Sequence, residues 1–276
     1  MKPMPPSAGV IGWPIAHSKS PSIHRFWLGM LGLDGDYGRF AVLPENLAAA
    51  VRALPALGLR GVNVTVPHKV AVIAYLDRLD PLAARIGAVN TIVVEQGELV
   101  GYNTDAAGFI EPLGLEPSGA SPGRAMIIGA GGAARAIGFA LHDAGYSLIF
   151  VNRDVERARQ LADDIAPSTE VVALADHATA GAGDAPTLLV NATSMGMTGF
   201  PPLPIGLAHV SAAARVYDIV YSPLETPLLA AARLAGHPTT DGLAMLIGQA
   251  AQAFELFFDV PPPRQHDHEL RALLAS

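Results

Sequence analysis

The sequence predicts an α/β fold in which a doubly wound parallel sheet follows a separate N-terminal α/β region. Residues 125–128 form a short apolar run without periodicity, which is typical of a strand buried on both faces of a parallel sheet. A glycine-rich turn follows, then a helix that ends at Gly145, and then a second apolar strand at 147–151. This strand, helix and strand order is the building unit of a doubly wound sheet.

The turn after the first of these strands has the spacing G-x-G-x-x-A at Gly129, Gly131 and Ala134. Gly129 permits a tight turn, Gly131 lets the backbone approach a pyrophosphate, and Ala134 lets the helix lie close to the strand. The N–H groups and dipole at the start of that helix favour a phosphate. The pattern indicates a dinucleotide site, although a glycine-rich turn without a ligand remains an alternative. The expected cofactor-binding residues of the turn are Gly129, Ala130, Gly131, Gly132 and Ala133.

The end of the second strand indicates which dinucleotide is bound. A binder of NAD places Asp or Glu here, on the ribose 2′-hydroxyl. This chain has Asn152 and Arg153 instead, and an arginine suits a 2′-phosphate because it can bind bidentately. Arg157 lies about one helical turn further on and adds positive charge, whereas Asp154 opposes a phosphate. NADP(H) is therefore favoured and NAD remains possible, with solvated surface arginines as the alternative interpretation.

Composition narrows the class of protein. Of 276 residues, 50% are apolar and 16% are charged, so the chain can form a large core. The net charge of −7, without a basic stripe, argues against nucleic acid. The chain has no cysteine and no paired histidine ligands, so we expect no metal. It also lacks a membrane-spanning run and the apolar core of a signal peptide, which favours a cytoplasmic protein without a membrane partner.

The N-terminal region begins with a strand at 10–11 and continues through a polar loop into a helix at 22–31. Ser18 and Ser20 place hydroxyl groups in that loop, where a small polar ligand can bind. Alternatively, Ser20 caps the helix and Pro21 occupies its first position. A strand at 36–42 and an amphipathic helix at 44–57 are expected to follow.

Polar residues then alternate with valines over 61–66, which is the period of a strand and puts Asn63 and Thr65 on one face. Pro67 ends this strand, and a helix is expected to begin at Lys69. The corner between a strand and a helix is where α/β proteins place their sites, although an exposed lysine is the commoner case. After a hairpin at 96–97, a helix is expected to start at 106–109, with Asp105 or Thr104 as its N-cap. An aspartate at position 105 is also poised to act as an acid/base group.

Further candidates lie in the second half of the chain, after a loop rich in Pro, Gly and Ser at 116–123. A strand at 187–190 ends in Asn191, and its carboxyl end should place Thr193 and Ser194 near a cofactor. Gln249 lies within the apolar stripe of a helix at 245–258, and a buried glutamine requires partners. The residues around His266 read as a polar tail.

Taken together, these segments resemble the shikimate dehydrogenase family along the whole chain and in order. The N-terminal motifs are more specific than the glycine loop. The motifs are GWPIAHSKSP at 12–21, NVTVPHK at 63–69, GAVNT at 87–91, NTD at 103–105, GAGGAAR at 129–135, NR at 152–153, NATS at 191–194, YDIVY at 217–221 and the segment 242–249.

The resemblance implies an enzyme that reduces 3-dehydroshikimate to shikimate with NADPH. It implies a substrate domain at 1–105, a Rossmann NADP-binding domain at 106–242, and C-terminal helices at 243–276 that return to the substrate domain. Lys69 and Asp105 resemble the catalytic pair, and Gly242 joins the cofactor-binding residues. By the same resemblance Ser18, Ser20 and Tyr221 hold the substrate carboxylate, and Asn63, Thr65, Asn90 and Gln249 bind ring hydroxyls.

The chain departs from the family pattern at Arg25, where asparagine is frequent, and at Asp154, where threonine is frequent. Asp154 leaves the strictness of NADP use open. One alternative function is a quinate/shikimate dehydrogenase that uses NAD, and another is a module that senses NADP(H) without turnover. Which member of the catalytic pair transfers the proton is left open, as is the choice between monomer and homodimer.

Overall fold

The computed structural model describes residues 4–115 and 122–275. Its backbone forms two compact units, one of residues 1–108 with 247–276 and the other of residues 109–246. Most of the loop expected at 116–123 lies outside the described residues. Among the described helices, none is long and apolar enough to cross a membrane.

The first unit alternates strands and helices. Its elements in chain order are β1 Ser7–Gly12, α1 Ser20–Leu31, β2 Asp36–Ala41, α2 Leu47–Arg52, β3 Leu59–Val64, β4 Arg78–Leu79, α3 Pro81–Ile86, β5 Thr91–Glu95, β6 Glu98–Tyr102 and α4 Asp105–Ile110. The strands form one six-stranded sheet in the order β2-β1-β3-β5-β6-β4. β1 pairs in parallel with β2 and β3, whereas β5 is antiparallel to both β3 and β6. The apolar residues of β1 and β3 are buried apart from the half-buried Leu59, as expected for central strands.

The hairpin between β5 and β6 forms where the sequence places it. Gln96 and Gly97 have φ values of 53° and 91°, the conformation that a two-residue turn with primed geometry requires. The antiparallel pairing that this turn permits brings Thr91 opposite Tyr102.

Two sequence-based expectations in this unit are wrong in detail. The helix expected at 44–57 is a 3-10 turn at Pro44–Asn46 followed by the short α2. The helix expected to begin at Lys69 is a turn followed by a 3-10 helix at Ala71–Tyr75. Pro55 and the β-branched residues after Lys69 disfavour longer α-helices there.

The second unit is a doubly wound parallel sheet. Its elements are β7 Arg124–Ile128, α5 Gly132–Asp143, β8 Ser147–Asn152, α6 Val155–Ile165, β9 Glu170–Ala173, β10 Leu188–Asn191, β11 Arg215–Asp218, α7 Pro227–Leu234 and β12 Thr239–Thr240. The strand order is β12-β11-β10-β7-β8-β9, and all pairs are parallel. This is the 3-2-1-4-5-6 order of Rossmann folds read from the opposite edge, so the predicted fold class is confirmed.

Two further helices complete the chain, α8 Gly242–Phe258 and α9 Asp267–Ala275. The division between the two units falls inside α4 and inside α8. The polar tail expected around His266 is wrong in part, because α9 buries Leu270 and Leu274. His266 itself pairs with Glu269 at 2.8 Å.

An aromatic cluster fills the first unit between α1, β2 and α8. His24 of α1 is fully buried and stacks on Tyr37 of β2, with ring centroids 4.0 Å apart and planes within 5°. Trp27 and Phe254 lie within 6.0 Å of the imidazole. Neither ring nitrogen of His24 has a hydrogen-bond partner among the described residues, and burial lowers the pKa of His24 to about 3. A neutral imidazole therefore serves as an aromatic packing surface here.

This burial makes the stability of the first unit sensitive to acid. Unfolding restores the ordinary pKa of 6.5, so between that value and about pH 3 the unfolded chain binds a proton that the folded chain does not. The free energy of unfolding should fall by about 1.4 kcal/mol per pH unit from this group as pH is lowered through that window. His24→Phe keeps the ring stack and should remove that part of the slope.

Denaturant titration between pH 7 and pH 4 measures the effect. Both tryptophans, Trp13 and Trp27, lie in the first unit, so their fluorescence reports its unfolding. His268→Gln, at a side chain 77% exposed, is the control and should leave the slope unchanged. Equal slopes in wild type and His24→Phe would contradict the assignment.

Candidate active site

An ion pair between Lys69 and Asp105 lies at the centre of the polar cluster in the first unit. Lys69 Nζ donates to Asp105 Oδ2 over 2.5 Å, and the two side chains are only 15% and 5% exposed. The Lys69 carbonyl accepts from Val89 N at 2.8 Å, which ties the turn after β3 to the segment before β5. Asp105 is the first residue of α4, and its own N–H donates to Asn103 Oδ1 at 3.1 Å. Both charged groups are thus fixed by main-chain contacts.

The amide of Asn90 connects this pair to the rest of the cluster. Its Nδ2 donates to Asp105 Oδ1 and to Thr104 Oγ1, each at 2.9 Å, and to Gln249 Oε1 at 3.4 Å. Its Oδ1 accepts from Thr104 N at 2.7 Å and from Thr91 Oγ1 at 3.1 Å. These contacts occupy the amide on both sides and hold Asp105 at a fixed angle to Lys69.

Asn63 is anchored in the same network. Its Nδ2 donates to Thr91 Oγ1 at 2.9 Å and to the Asn90 carbonyl at 3.3 Å. Its Oδ1 accepts from the Tyr37 hydroxyl at 2.6 Å. The side chain is 5% exposed, so an unpaired amide group would be costly at this position.

The serine pair lies at the start of α1. Ser18 Oγ contacts both the Oγ and the N–H of Ser20 at 3.3 Å. The Nε and one terminal nitrogen of Arg39 donate to the Ser18 carbonyl at 2.9 and 2.6 Å. The helix begins at Ser20 with Lys19 as N-cap residue, and no side chain caps it. The interpretation of Ser20 as a helix cap is therefore wrong, because the helix starts one residue too early for it.

The remaining candidates of the substrate group are placed as follows. Thr65 lies just beyond β3 and is half-buried, with its N–H donating to the Ile11 carbonyl at 3.0 Å. Gln249 is buried on α8 next to Asn90 and belongs to the first unit. Tyr221 belongs to the second unit, in the segment after β11. The structure thus joins Lys69, Asp105, Asn90, Asn63 and Gln249 in one hydrogen-bonded cluster.

The glycine loop of the second unit follows β7. Gly129 has φ of 117°, a conformation that favours glycine, and an added Cβ would meet Thr193 Cγ2 at 3.0 Å. Gly131 is extended, and an added Cβ would find open space. The loop leads into the twelve-residue α5, whose first N–H groups lie beside that space. The loop therefore leaves open space over Gly131, at the start of α5.

The end of β8 and the start of α6 lie next to this loop. Arg157 Nε donates to the Ala130 carbonyl at 2.9 Å, so this arginine is attached to the glycine loop. Asp154 is the N-cap of α6 and accepts from Arg157 N at 3.1 Å. Asn152 Nδ2 donates to the Asp154 carbonyl at 2.8 Å, and Arg153 is exposed. The Asp154 carboxylate is thus engaged by the helix that it caps.

Asn191 organises the segment after β10. Its Oδ1 accepts from Thr193 N at 3.1 Å, and its Nδ2 donates to Asp218 Oδ1 at 2.9 Å. Asp218 is fully buried, also accepts from Thr226 Oγ1 at 2.7 Å, and has its pKa raised to about 6 by burial. Ser194 is exposed beyond Thr193.

Gly242 begins α8 close to the segment after β11. An added Cβ there would lie 2.3 Å from the Ile219 carbonyl oxygen. The residue therefore permits close packing of the backbone in the second unit.

Several residues that hold the cluster together were not among the predicted site residues. Thr91, Thr104 and Asn103 lie inside recognised motifs, next to candidates, and their burial at 0–5% is the property that marks them. Tyr37 and Arg39 occupy alternate positions on β2, the strand at the edge of the sheet. Residues two positions apart in a strand face the same side of the sheet, so the sequence indicates that Tyr37 and Arg39 share one face.

These features define a class of α/β proteins with two units. One unit is a Rossmann sheet with a glycine loop of the dinucleotide-binding type, and the other contains a buried lysine paired with a carboxylate. Family models match the chain over residues 10–92 (shikimate dehydrogenase substrate binding domain), 118–192 (shikimate / quinate 5-dehydrogenase) and 242–269 (shikimate 5'-dehydrogenase C-terminal domain). The chain belongs to the shikimate dehydrogenase family.

Individual relatives cover nearly the whole chain. It is 51% identical over 273 residues to the shikimate dehydrogenase (NADP(+)) of Paramagnetospirillum magneticum, with 98% of each chain covered. The shikimate 5-dehydrogenase of Thermus thermophilus, solved with NADP(H) and shikimate, is 37% identical with a TM-score of 0.84, covering 98% of this chain and 99% of that one. The quinate dehydrogenase of Corynebacterium glutamicum, solved with NAD, is 32% identical with a TM-score of 0.87 and the same coverage.

The placement of Gln249 depends on Gly108. An added Cβ at Gly108 would lie 2.3 Å from the backbone nitrogen of Gln249, so α4 and α8 can approach this closely only with glycine there. Gly108→Ala should destabilise the first unit by about 1–3 kcal/mol, because α8 must move. Gly29→Ala is the matched control in α1, where an added Cβ meets nothing. It should stabilise by up to about 1 kcal/mol.

Urea unfolding followed by tryptophan fluorescence measures both variants. A stability of Gly108→Ala equal to that of wild type would show that α8 adapts without cost.

Proposed function

We propose that this chain is an NADP-dependent shikimate dehydrogenase, which catalyses the reversible reduction of 3-dehydroshikimate to shikimate. The observation that carries the proposal is the Lys69–Asp105 ion pair, nearly closed to solvent and held by a fully hydrogen-bonded amide network. Such a pair offers one protonated group to a carbonyl oxygen in a site that otherwise contains neutral hydrogen-bonding groups. The names of the close relatives support the same reaction.

In this proposal the first unit is the substrate domain. The hydroxyls of Ser18 and Ser20, with Tyr221 from the second unit, bind the carboxylate. The ring hydroxyls are bound by Asn63, Thr65, Asn90 and Gln249. Neutral hydroxyl and amide groups suit this role because they hydrogen-bond to a polyhydroxy acid without adding a charge that must be desolvated.

The second unit is the NADP-binding domain, and its described residues fit that cofactor. The open space over Gly131 and the N–H groups of α5 suit a pyrophosphate. Arg153 and the terminal nitrogens of Arg157 suit the 2′-phosphate, since Ala130 engages only the Nε of Arg157. The residues after β10, Thr193 and Ser194, and Gly242 at the start of α8 complete the cofactor-binding set.

The ion pair also indicates how the proton moves. Reduction turns the carbonyl oxygen into an alkoxide, which requires a proton. NADPH, when bound, supplies the hydride for that step. The Lys69 ammonium carries protons, whereas the ionised Asp105 only accepts hydrogen bonds. We therefore assign proton transfer to Lys69 Nζ, which passes one proton to the oxygen and becomes a neutral amine, and the orientation of Nζ to Asp105.

A second candidate is a quinate/shikimate dehydrogenase that uses NAD, which the likeness to the quinate dehydrogenase favours. The position of Asp154 argues against it. One oxygen of its carboxylate accepts the Arg157 N–H as a helix cap, which leaves only the other oxygen for a ribose hydroxyl. The third alternative, a module that senses NADP(H) without turnover, would have no need of a buried Lys69–Asp105 pair.

A biosynthetic reductase of this kind works in the cytoplasm, as a monomer or a homodimer.

The role of Lys69 is tested by measuring loss of NADPH absorbance with 3-dehydroshikimate. Lys69→Met should lower kcat by about 10²-fold or more, while the KM for NADPH changes little, because it removes the proton source. Lys69→Arg keeps the charge but should rescue little activity, since a guanidinium rarely gives up a proton. Arg60→Met is the control, as it removes a cation from an exposed pair with Asp259. Turnover of Lys69→Met within a few-fold of wild type would refute the assignment.

Cofactor choice is tested at the start of α6. Wild type should prefer NADP over NAD by about tenfold or somewhat more in kcat/KM, and Arg153→Ala should remove most of that preference. Asp154→Thr should strengthen NADP use and leave NAD use nearly unchanged, because it removes a charge and retains a capping oxygen. Asp154→Ala should change cofactor preference in the same way but lose about 1 kcal/mol of stability with the cap.

Arg233→Ala, at an exposed arginine elsewhere in the second unit, should leave the kcat/KM ratio of the two cofactors unchanged. A wild type that prefers NAD would favour the second candidate function.

A further inference from the structure

Tyr37 is a fully buried tyrosine whose hydroxyl reaches into the polar cluster although no motif includes it. Its ring lies flat against His24, with centroids 4.0 Å apart. Burial raises the pKa of the Tyr37 phenol well above its usual range, so the hydroxyl keeps its proton, and an interaction with the Ser20 hydroxyl opposes that shift. Tyr37 is thus a rigid donor between the serine pair and Asn63.

The donors and acceptors around Asn63 leave its amide one satisfied orientation. Thr91 donates its hydroxyl proton to Asn90 Oδ1 at 3.1 Å, so towards Asn63 its oxygen acts as an acceptor. Asn63 Nδ2 therefore faces Thr91 at 2.9 Å, and Oδ1 faces the Tyr37 hydroxyl at 2.6 Å. The second acceptor of Nδ2, the Asn90 carbonyl at 3.3 Å, favours the same orientation.

This orientation decides what Asn63 offers to a ligand. Both N–H groups of Nδ2 have acceptors within the protein, whereas Oδ1 uses one lone pair for Tyr37 and has a second. Asn63 therefore presents an acceptor, and the ligand group that it suits is an O–H that donates. A turned amide would present N–H groups instead and would accept a different set of ligands.

We propose that Tyr37 is a positioning residue that holds the Asn63 amide with Oδ1 towards the substrate, so that the enzyme recognises one ring hydroxyl of shikimate as a hydrogen-bond donor. This inference rests on the proposed function and adds a residue outside its binding set. Tyr37 acts through Asn63 and contacts neither the reacting atoms nor the cofactor. Its effect is therefore on substrate affinity and specificity rather than on the chemical step.

Steady-state oxidation of shikimate with NADP tests the proposal. Tyr37→Phe retains the stacked ring and removes only the hydroxyl. It should raise the KM for shikimate about tenfold, the equivalent of one hydrogen bond, with kcat within about threefold and the KM for NADP unchanged. Tyr102→Phe is the matched control, since its hydroxyl contacts Glu95 on the β5–β6 hairpin, and it should match wild type. A loss of kcat without a change in the KM for shikimate would overturn the assignment.

Substrate analogues separate positioning from a merely structural role. The 4-deoxyfluoro and 5-deoxyfluoro analogues of shikimate cannot donate a hydrogen bond at the altered carbon. With one of them, wild type and Tyr37→Phe should have nearly equal kcat/KM, because the recognised donor is already absent. An equal tenfold penalty with shikimate and both analogues would overturn the proposal.

A double-mutant cycle gives an independent test. Adding Tyr37→Phe to Asn63→Ala should cost less than twofold in kcat/KM if Tyr37 acts through Asn63. Additive penalties would overturn the proposal.

If Tyr37→Phe fails to fold, Thr91→Val takes its place, because it removes the acceptor that fixes Nδ2. This variant should show the same loss of kcat/KM with shikimate and with one of the two analogues, and no loss with the other analogue. A wild type without activity on shikimate would overturn the proposed function as well. An active wild type together with a Tyr37→Phe variant whose KM for shikimate is unchanged would overturn this inference alone.

Discussion

The buried amide of Asn90 is the interaction on which the polar cluster of the first unit depends. A buried amide must have its donors and acceptors satisfied, and here that requirement links β5, α4 and α8 through Asp105, Thr104 and Gln249. The ion pair gains its fixed geometry from this link, because Asp105 Oδ1 is engaged by Asn90 while Oδ2 receives Lys69. Polar groups that satisfy one another in this way form a preorganised site.

The second unit meets a different constraint. A parallel sheet covered on both faces leaves polar groups only at its strand ends, and the order reversal between β7 and β10 brings two of those ends together. The contact that an added Cβ at Gly129 would make with Thr193 shows how near the two segments lie. The buried Asp218 then ties β10 to α7 through Asn191 and Thr226. The loops that carry the proposed cofactor-binding residues therefore rest on a hydrogen-bonded base.

Much of the fold was predictable from local pattern, whereas the details of the site were not. The apolar run before Gly129, the hairpin at Gln96 and the doubly wound order follow from periodicity and from residues with special backbone freedom. The helix at 44–57 was predicted too long, because an amphipathic period does not show where a proline ends a helix. The helix expected to begin at Lys69 is instead a turn followed by a 3-10 helix, where β-branched residues disfavour an α-helix. The sequence does not signal that His24 lacks a hydrogen-bond partner in the described part of the chain, since this depends on which aromatic rings surround it.

The sequence by itself determined the parallel sheet and the glycine loop, because strand period and glycine spacing are local properties. Its resemblance to the shikimate dehydrogenase family indicated most residues of the cluster. Tertiary structure alone decided which of those side chains meet. Asn90 and Gln249 are 159 residues apart, and Tyr37 lies 26 residues from Asn63. The orientation of the Asn63 amide, and hence the kind of ligand group that it accepts, follows from donors and acceptors on β2 and β5. Hydrogen-bond directions of this kind exist only after the strands have packed, since each is set by partners that the chain brings together from distant segments.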